Sequence, residues 1–242
     1  MFTTSTPAPA ATRTDYLRGA RAFLPLAISI AAYGVVWGVL AGQAGLGVID
    51  VLLMSGLVFA GASQFVALDM WSTTALPVAS IVVATAIVNL RMALMSATMR
   101  PLVAGLPRWQ ALLTMAVVTD EDWALTMGEV GRGRGTLAFF LGAATLCYLT
   151  WLLSTLAGRL LGSAIDDPTT YGLDFAFTAT FLALLFGMWK GRADLVPWIA
   201  AALIAIGTAQ LIPGNWFIIA GGIGGSLVGA LADTWRERHA AP

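Results

Sequence analysis

Two stretches of the chain, GLVFAGASQFVAL at residues 56–68 and GLDFAFTATFLAL at residues 172–184, indicate what kind of fold it adopts. They are identical at Gly, Leu, Phe, Ala, Phe, Ala and Leu, and they are offset by 116 residues. The same offset aligns the apolar stretches around them, which predicts two related halves at about 22–128 and 136–232. Such halves are typical of secondary transporters, which bind substrate where the halves meet.

The composition is that of a membrane protein. Hydrophobic residues make up 58% of the chain, the mean hydropathy is +0.82, and 11% of the residues are charged, against about 25% in a soluble domain. Because a helix satisfies its own backbone in lipid, we predict an all-α integral membrane protein with seven to eight helical segments. The candidate segments, each near the length of about 20 residues that a bilayer requires, are 22–41, 48–70, 76–98, 109–128, 136–158, 173–189, 194–211 and 214–232.

Both ends of the chain are polar. Residues 1–20 are rich in Thr, Ala and Pro and lack an apolar core, so they predict a disordered tail rather than a signal peptide. Residues 233–242 predict a second polar tail. Residues 21–232 should form a single transmembrane domain, with helices broken at the two matched stretches.

Several function classes are excluded or disfavoured by what the sequence lacks. The net charge of zero gives no basic surface for nucleic acid, and no GxxxxGK[ST] motif is present to bind ATP. His239, in the C-terminal tail, is the only histidine, and Cys147 is the only cysteine. We therefore expect no enzyme activity, no metal site and no cofactor.

The arginines leave two topologies open. If all eight segments cross and the N-terminus is cytoplasmic, Arg100 and Arg108 fall outside, against the positive-inside rule. If the fourth segment, which contains TDEDWAL (119–125), only dips in and returns, the halves become inverted repeats and the arginines of the N-terminal tail are misplaced. Both models give a cytoplasmic C-terminus.

Arg91 lies well inside the third apolar segment, two residues after Asn89. A charge in a membrane interior is costly and is by default a candidate for function. The guanidinium of Arg91 has the planar geometry that binds a carboxylate of a substrate through two hydrogen bonds. The structural alternatives are an arginine that snorkels to the interface or one that a buried carboxylate neutralises.

Asp120, Glu121 and Asp122 are adjacent acids, and on a helix they point about 100° apart. At least one should therefore meet Arg91, solvent or a cation. A re-entrant or interfacial turn explains them, and so does proton coupling. Because no usable histidine exists, the candidates for proton coupling are Asp120, Glu121 and Asp174.

The matched stretches form the third candidate site. Gly61, Ser63 and Gln64 place small and polar residues inside the second segment, which predicts a weakened helix with free backbone groups. Asp174 and Thr178 occupy one face of the matched segment. Broken helices at matching positions of two halves indicate a transport site. Close helix packing by small residues is the alternative.

Two ladders of glycines have the GxxxG spacing that allows helices to touch. They predict either packing within the chain or contact with a second chain. The ladders are Gly34, Gly38 and Gly42, and Gly221, Gly225 and Gly229.

Together, four motifs give the chain a resemblance to a known family. They are MSGLVFAGASQF (54–65), NLR (89–91), TDE (119–121) and GLDFAFTATFLALL (172–185). Over residues 20–232 the chain resembles the AzlC family, the large subunit of two-component exporters of branched-chain amino acids. The resemblance implies export of leucine, isoleucine and valine, and in some members methionine, across the cytoplasmic membrane of a bacterium. It also implies a small hydrophobic partner subunit of the AzlD type.

An amino acid of this kind requires a cation or a helix N-terminus for its carboxylate, an acceptor for its ammonium group and an apolar pocket. Arg91 or the amides around Gly61 meet the first requirement, and Gln64 or Asp174 the second. The candidates for the pocket are Phe59, Phe65, Phe175 and Phe181.

The favoured function is a secondary transporter subunit coupled to the proton motive force. A non-transporting scaffold or partner subunit and a carrier for another small amphipathic compound stay open as alternatives.

Overall fold

The computed structural model describes residues 12–71, 76–162, 191–212 and 216–239, together with residues 182, 186 and 189. All regular secondary structure within these ranges is helical. The α-helices are α1 (Arg13–Gln43), α2 (Val48–Leu53), α3 (Gly61–Asp69), α4 (Val78–Thr98), α5 (Arg100–Val103), α6 (Arg108–Met115), α7 (Asp120–Gly131), α8 (Leu137–Gly162), α9 (Leu195–Leu211) and α10 (Trp216–His239).

In the described residues, four helices are long and apolar enough to cross a membrane. They are Arg13–Gln43, Val78–Thr98, Leu137–Gly162 and Arg192–Leu211, the last being α9 with the 3₁₀ turn before it. These helices confirm the predicted class of all-α membrane protein. The internal repeat and the count of seven to eight segments stay predictions, because most of 172–184 lies outside the described residues.

The structure corrects the extent of the predicted N-terminal disordered tail. Helix α1 begins at Arg13, so residues 13–20 are helical rather than part of a disordered tail. The side chain of Thr12 caps this helix by accepting a hydrogen bond from the backbone N–H of Asp15, which satisfies one of the free amides of the first turn. At the other end, helix α10 continues to His239, so the predicted polar tail at 233–242 begins as a continuation of this helix.

The second apolar segment is interrupted, as predicted for the first matched stretch. Helix α2 widens into a π-helical turn at Met54–Val58. The chain then breaks at Phe59, which adopts the left-handed conformation with φ 42° and ψ 48°. A non-glycine residue in this conformation is strained. Helix α3 restarts at Gly61.

The fourth apolar segment is also interrupted, at the acids where the sequence left a re-entrant or interfacial turn open as an alternative to a continuous helix. Helices α6 and α7 are separated by residues 116–119. Thr119 and Asp122 form a capping box, so the acids occupy the first turn of α7 rather than the middle or end of a long helix. Carboxylates stabilise a helix N-terminus because they compensate its dipole.

Helices α1 and α8 run parallel and approach to backbone contact. A Cβ atom on Gly19 would overlap the carbonyl of Phe139, and one on Gly38 would overlap the carbonyl of Thr155. The ladder of Gly34, Gly38 and Gly42 thus packs within the chain, against α8. These small residues let two backbones approach closely.

The second ladder also packs within the chain. Gly221, Gly225 and Gly229 of α10 face Pro197, Ala201 and Ala205 of α9, and the two helices run antiparallel. The glycine spacing therefore gives no support to a second chain. The contacts divide the protein into two compact units, Met1–Gln64 with Asn89–Asp166 and Phe65–Val88 with Asp167–Pro242, which do not coincide with the predicted halves.

Candidate functional site

The side chain of Gln64 stabilises the helix break between the π-helical turn and α3. Its side chain is wholly buried. The Oε1 atom accepts hydrogen bonds from the backbone N–H of Ala60 at 3.3 Å and from the indole Nε1 of Trp151 at 3.0 Å, and Nε2 donates to Ser55 Oγ at 3.5 Å. Because Ala60 N–H bonds to Gln64, the carbonyl of Gly56 is free to accept from the Tyr148 hydroxyl at 2.9 Å.

We expect Gln64→Met to destabilise the protein, because it leaves the Ala60 amide and the Trp151 indole buried without their acceptor. Each such buried unsatisfied group costs about 1–3 kcal/mol. Gln43→Met, at the exposed end of α1, is the matched control and should change little. Thermal unfolding of the two variants in detergent measures the difference. Equal midpoints would show that Gln64 does not hold the break.

Arg91 forms an ion pair with Asp120, the first residue of α7. The Nη2 atom of Arg91 lies 2.9 Å from Oδ2 of Asp120, and the two side chains are 35% and 47% exposed. The Nε atom of Arg91 is buried and has no hydrogen-bond partner within the described part of the chain. The guanidinium is therefore neutralised and still has an unused donor.

Tyr33 and Glu121 lie near this pair, close enough for the charges of Arg91 and Asp120 to act on both. Tyr33 also connects the pair to the interrupted helix. Its ring borders Gly61, where an added Cβ would lie 3.2 Å from Tyr33 and 3.1 Å from Trp151. Any larger residue at the start of α3 would press against both rings.

Some of the other predicted site residues lie in the part of the chain that the structure describes, and some lie outside it. Asn89 donates a hydrogen bond to Ser63 Oγ at 3.2 Å, so α4 presents Asn89 to α3 and Arg91 to α7. Phe59 is buried against the ring of Tyr148, with centroids 4.8 Å apart, and Phe65 is wholly buried. The remaining predicted site residues lie outside the described residues: Asp174, Phe175, Thr178 and Phe181.

Several residues at the site were missed by sequence reasoning. Tyr148 and Trp151 of α8 contact the interruption, and Tyr33 of α1 contacts Gly61. Nothing in the sequence distinguishes these aromatic residues from others in apolar helices. Asp122 was noticed as an acid, but its full burial was not predicted.

This fold and this site define an all-helical integral membrane protein with a paired arginine and carboxylate beside an interrupted helix. A family model described as AzlC protein matches residues 25–165. The chain belongs to the AzlC family.

Relatives of similar length agree with this assignment. The chain is 27% identical to an uncharacterized membrane protein of Helicobacter pylori strain J99 over 211 residues, which covers 85% of the chain and 91% of the relative. It is 25% identical to the inner membrane protein YgaZ of Escherichia coli K12 over 239 residues, 96% of each chain. It is 24% identical to the branched-chain amino acid transport protein AzlC of Bacillus subtilis over 199 residues, 81% of the chain and 76% of the relative. No solved structure matches at a significant level.

Proposed function

We propose that this protein is the large subunit of a secondary transporter that exports branched-chain amino acids, and that it is not an enzyme. The name of the Bacillus subtilis relative supports the substrate class. The observation that carries the proposal is Arg91, whose guanidinium lies within an apolar helix, is neutralised by Asp120 and retains a buried unused donor at Nε. Such a donor suits the carboxylate of a zwitterion.

The ion pair also suggests how a carboxylate ligand is released. Asp120 and the carboxylate of the substrate are alternative partners for one guanidinium. When the substrate leaves, Asp120 takes over the charge, so Arg91 is never buried without an anion, which would be strongly destabilising. Glu121 lies near enough to be influenced by both charges.

The proposal extends to the membrane in which the carrier works, its driving force and its partner subunit. The carrier works in the cytoplasmic membrane of a bacterium, is driven by the proton motive force, and functions with a small hydrophobic subunit of the AzlD type. Its two halves, related by the 116-residue offset and carried by seven to eight segments, supply the site together with Asp174, Thr178 and the four phenylalanines. Because one methylene changes binding by about 1–3 kcal/mol, the carrier should accept several aliphatic amino acids.

Counterflow of labelled leucine in proteoliposomes tests the proposal. Vesicles that contain this chain and its small subunit, loaded with unlabelled leucine, should accumulate labelled leucine, and isoleucine and valine should compete. Arginine, which is too large and charged for an aliphatic pocket, is the control competitor. Vesicles that show no counterflow although both subunits are folded would favour a scaffold, and counterflow of a different amphipathic compound would favour another substrate.

A further inference from the structure

Asp122 is a buried acid that takes no part in the ion pair of Arg91 and Asp120. Its side chain is wholly buried. One carboxylate oxygen, Oδ1, accepts a hydrogen bond from the backbone N–H of Thr119 at 2.9 Å, which is its part in the capping box. The other oxygen, Oδ2, is buried and has no hydrogen-bond partner in the described ranges. The capping box therefore accounts for the burial of Oδ1, and it does not account for the burial of Oδ2.

Thr126, one helical turn after Asp122, also carries a buried oxygen that is not used in hydrogen bonding within the part of the chain that the structure describes. Its side chain is wholly buried, and its hydroxyl has no hydrogen-bond partner among the described residues. Residues four apart lie on the same face of a helix, so Asp122 and Thr126 share the buried face of α7. The start of α7 approaches α8, where Cys147 Sγ is 3.7 Å from Thr119 Oγ1, and Cys147 is near enough to Asp122 for the charge of that carboxylate to act on it.

Within the described part of the chain, the charges around Asp122 do not neutralise it. The charged neighbours that act on it are Glu121 and Asp120, both acids on its own helix. On α8 the titratable neighbour is Cys147, and on α4 Arg91 is paired with Asp120 instead. Tyr33 of α1 lies near Glu121. A buried carboxylate without a positive partner is very costly, so it takes up a proton or binds a cation.

We propose that Asp122 and Thr126 form an internal binding site for one small cation, a proton or Na⁺. Oδ2 of Asp122 and the Thr126 hydroxyl do not bond to each other or to any other described group, so both oxygens are open to the cation. A carboxylate and a hydroxyl are hard oxygen ligands, which suits a small hard cation. Given the proposed transport function, on which this step rests, the site is the one that couples cation movement to amino-acid export.

Binding is tested on the purified protein without any transport measurement. Infrared spectroscopy detects the carbonyl stretch of a protonated carboxylic acid, and thermal unfolding in Na⁺ against choline detects a bound metal cation. If the cation is a proton, the wild-type protein shows the carboxylic acid band, and Asp122→Asn loses it. If it is Na⁺, the unfolding midpoint of the wild type rises with Na⁺ and that of Asp122→Asn does not.

Asp122→Asn is chosen because the amide oxygen can keep the capping hydrogen bond. Thr126→Val removes only the hydroxyl and serves if Asp122→Asn does not fold: it should shift the acid band or weaken the Na⁺ effect. Asp233→Asn, an exposed acid on α10, is the control and should leave both signals unchanged. A wild-type protein with neither an acid band nor a Na⁺ effect, or signals that Asp122→Asn and Thr126→Val both leave intact, would overturn the site.

Coupling is tested separately in proteoliposomes. Asp122→Asn should retain leucine counterflow, which needs no driving ion, and lose accumulation driven by a cation gradient. Retained gradient-driven accumulation would overturn the coupling role. Absence of leucine counterflow in the wild type, with the cation signals present, would instead reject the proposed function while the cation site stands.

Discussion

Arg91→Lys should lose most leucine transport although the positive charge is retained. Lysine can still pair with Asp120, but it has neither the planar fork nor the Nε donor that is unused in the structure. A hydrogen bond to a charged group contributes about 1.5–3 kcal/mol, which corresponds to roughly tenfold or more in affinity. Arg91→Ala should abolish transport. The measurement is leucine counterflow, normalised to the amount of folded protein in the membrane.

The alternative to substrate binding is that Arg91 only stabilises the fold through its ion pair with Asp120. If Arg91 serves only as a brace for Asp120, Arg91→Ala leaves a partly buried acid unpaired and lowers the amount of folded protein. Adding Asp120→Asn should then restore folding and also transport. If Arg91 binds substrate, the double variant folds and still does not transport. Well-folded Arg91→Ala protein with normal transport would contradict both roles.

Gly38→Ala should destabilise the protein severely, although it adds a single methyl group. The new Cβ would overlap the backbone carbonyl of Thr155 and approach the backbone nitrogen of Arg159 at 2.8 Å. Backbone atoms of a helix cannot rotate away as a side chain does, so α1 and α8 would have to separate along their length. Overpacking typically costs about 1–3 kcal/mol and occasionally more. Thermal unfolding in detergent measures the loss.

Gly207→Ala is the matched control for this substitution. Gly207 lies inside α9 and has no atom within 4 Å of the position of its Cβ, as far as the described residues extend. Alanine is preferred over glycine inside a helix by roughly 0.5–1 kcal/mol, so this variant should be unchanged or slightly more stable. If Gly38→Ala matched it, the close approach of α1 and α8 would be wrong.

The sequence predicted the class of fold and one of its two interruptions, and it left the other interruption open as an alternative. Gly61, Ser63 and Gln64 indicated a weakened helix because small and polar residues are unusual in a membrane segment. The sequence did not show that Gln64 itself would bond to the broken backbone. That role depends on Tyr148 and Trp151, which are distant in the chain and reach the break only after α8 has packed against it.

For the second interruption, the sequence left a long helix and a re-entrant or interfacial turn open and did not decide between them. Residues 109–119 contain no glycine or proline, so the apolar run favours one continuous helix, whereas the acids after it favour a turn. The capping box of Thr119 and Asp122 was a local signal for a new helix start that the hydropathy pattern obscured. The sequence predicted that a carboxylate was one of the possible partners of Arg91. It did not identify Asp120 as that partner, because this depends on where α7 lies.

Because α1 and α8 run parallel, they limit how many times the chain between them can cross the membrane. Arg18, near the start of α1, donates a hydrogen bond to the carbonyl of Arg134, just before α8, so both helices begin at the same end. Two helices that cross a membrane in the same direction are joined by a chain that crosses an odd number of times. A path in which the second and third segments cross while α6 and α7 dip in and return gives an even number, and we infer that it does not occur. The arginines that precede α1 and those that precede α8 then share one side, and we expect it to be the cytoplasmic side, as the positive-inside rule prefers.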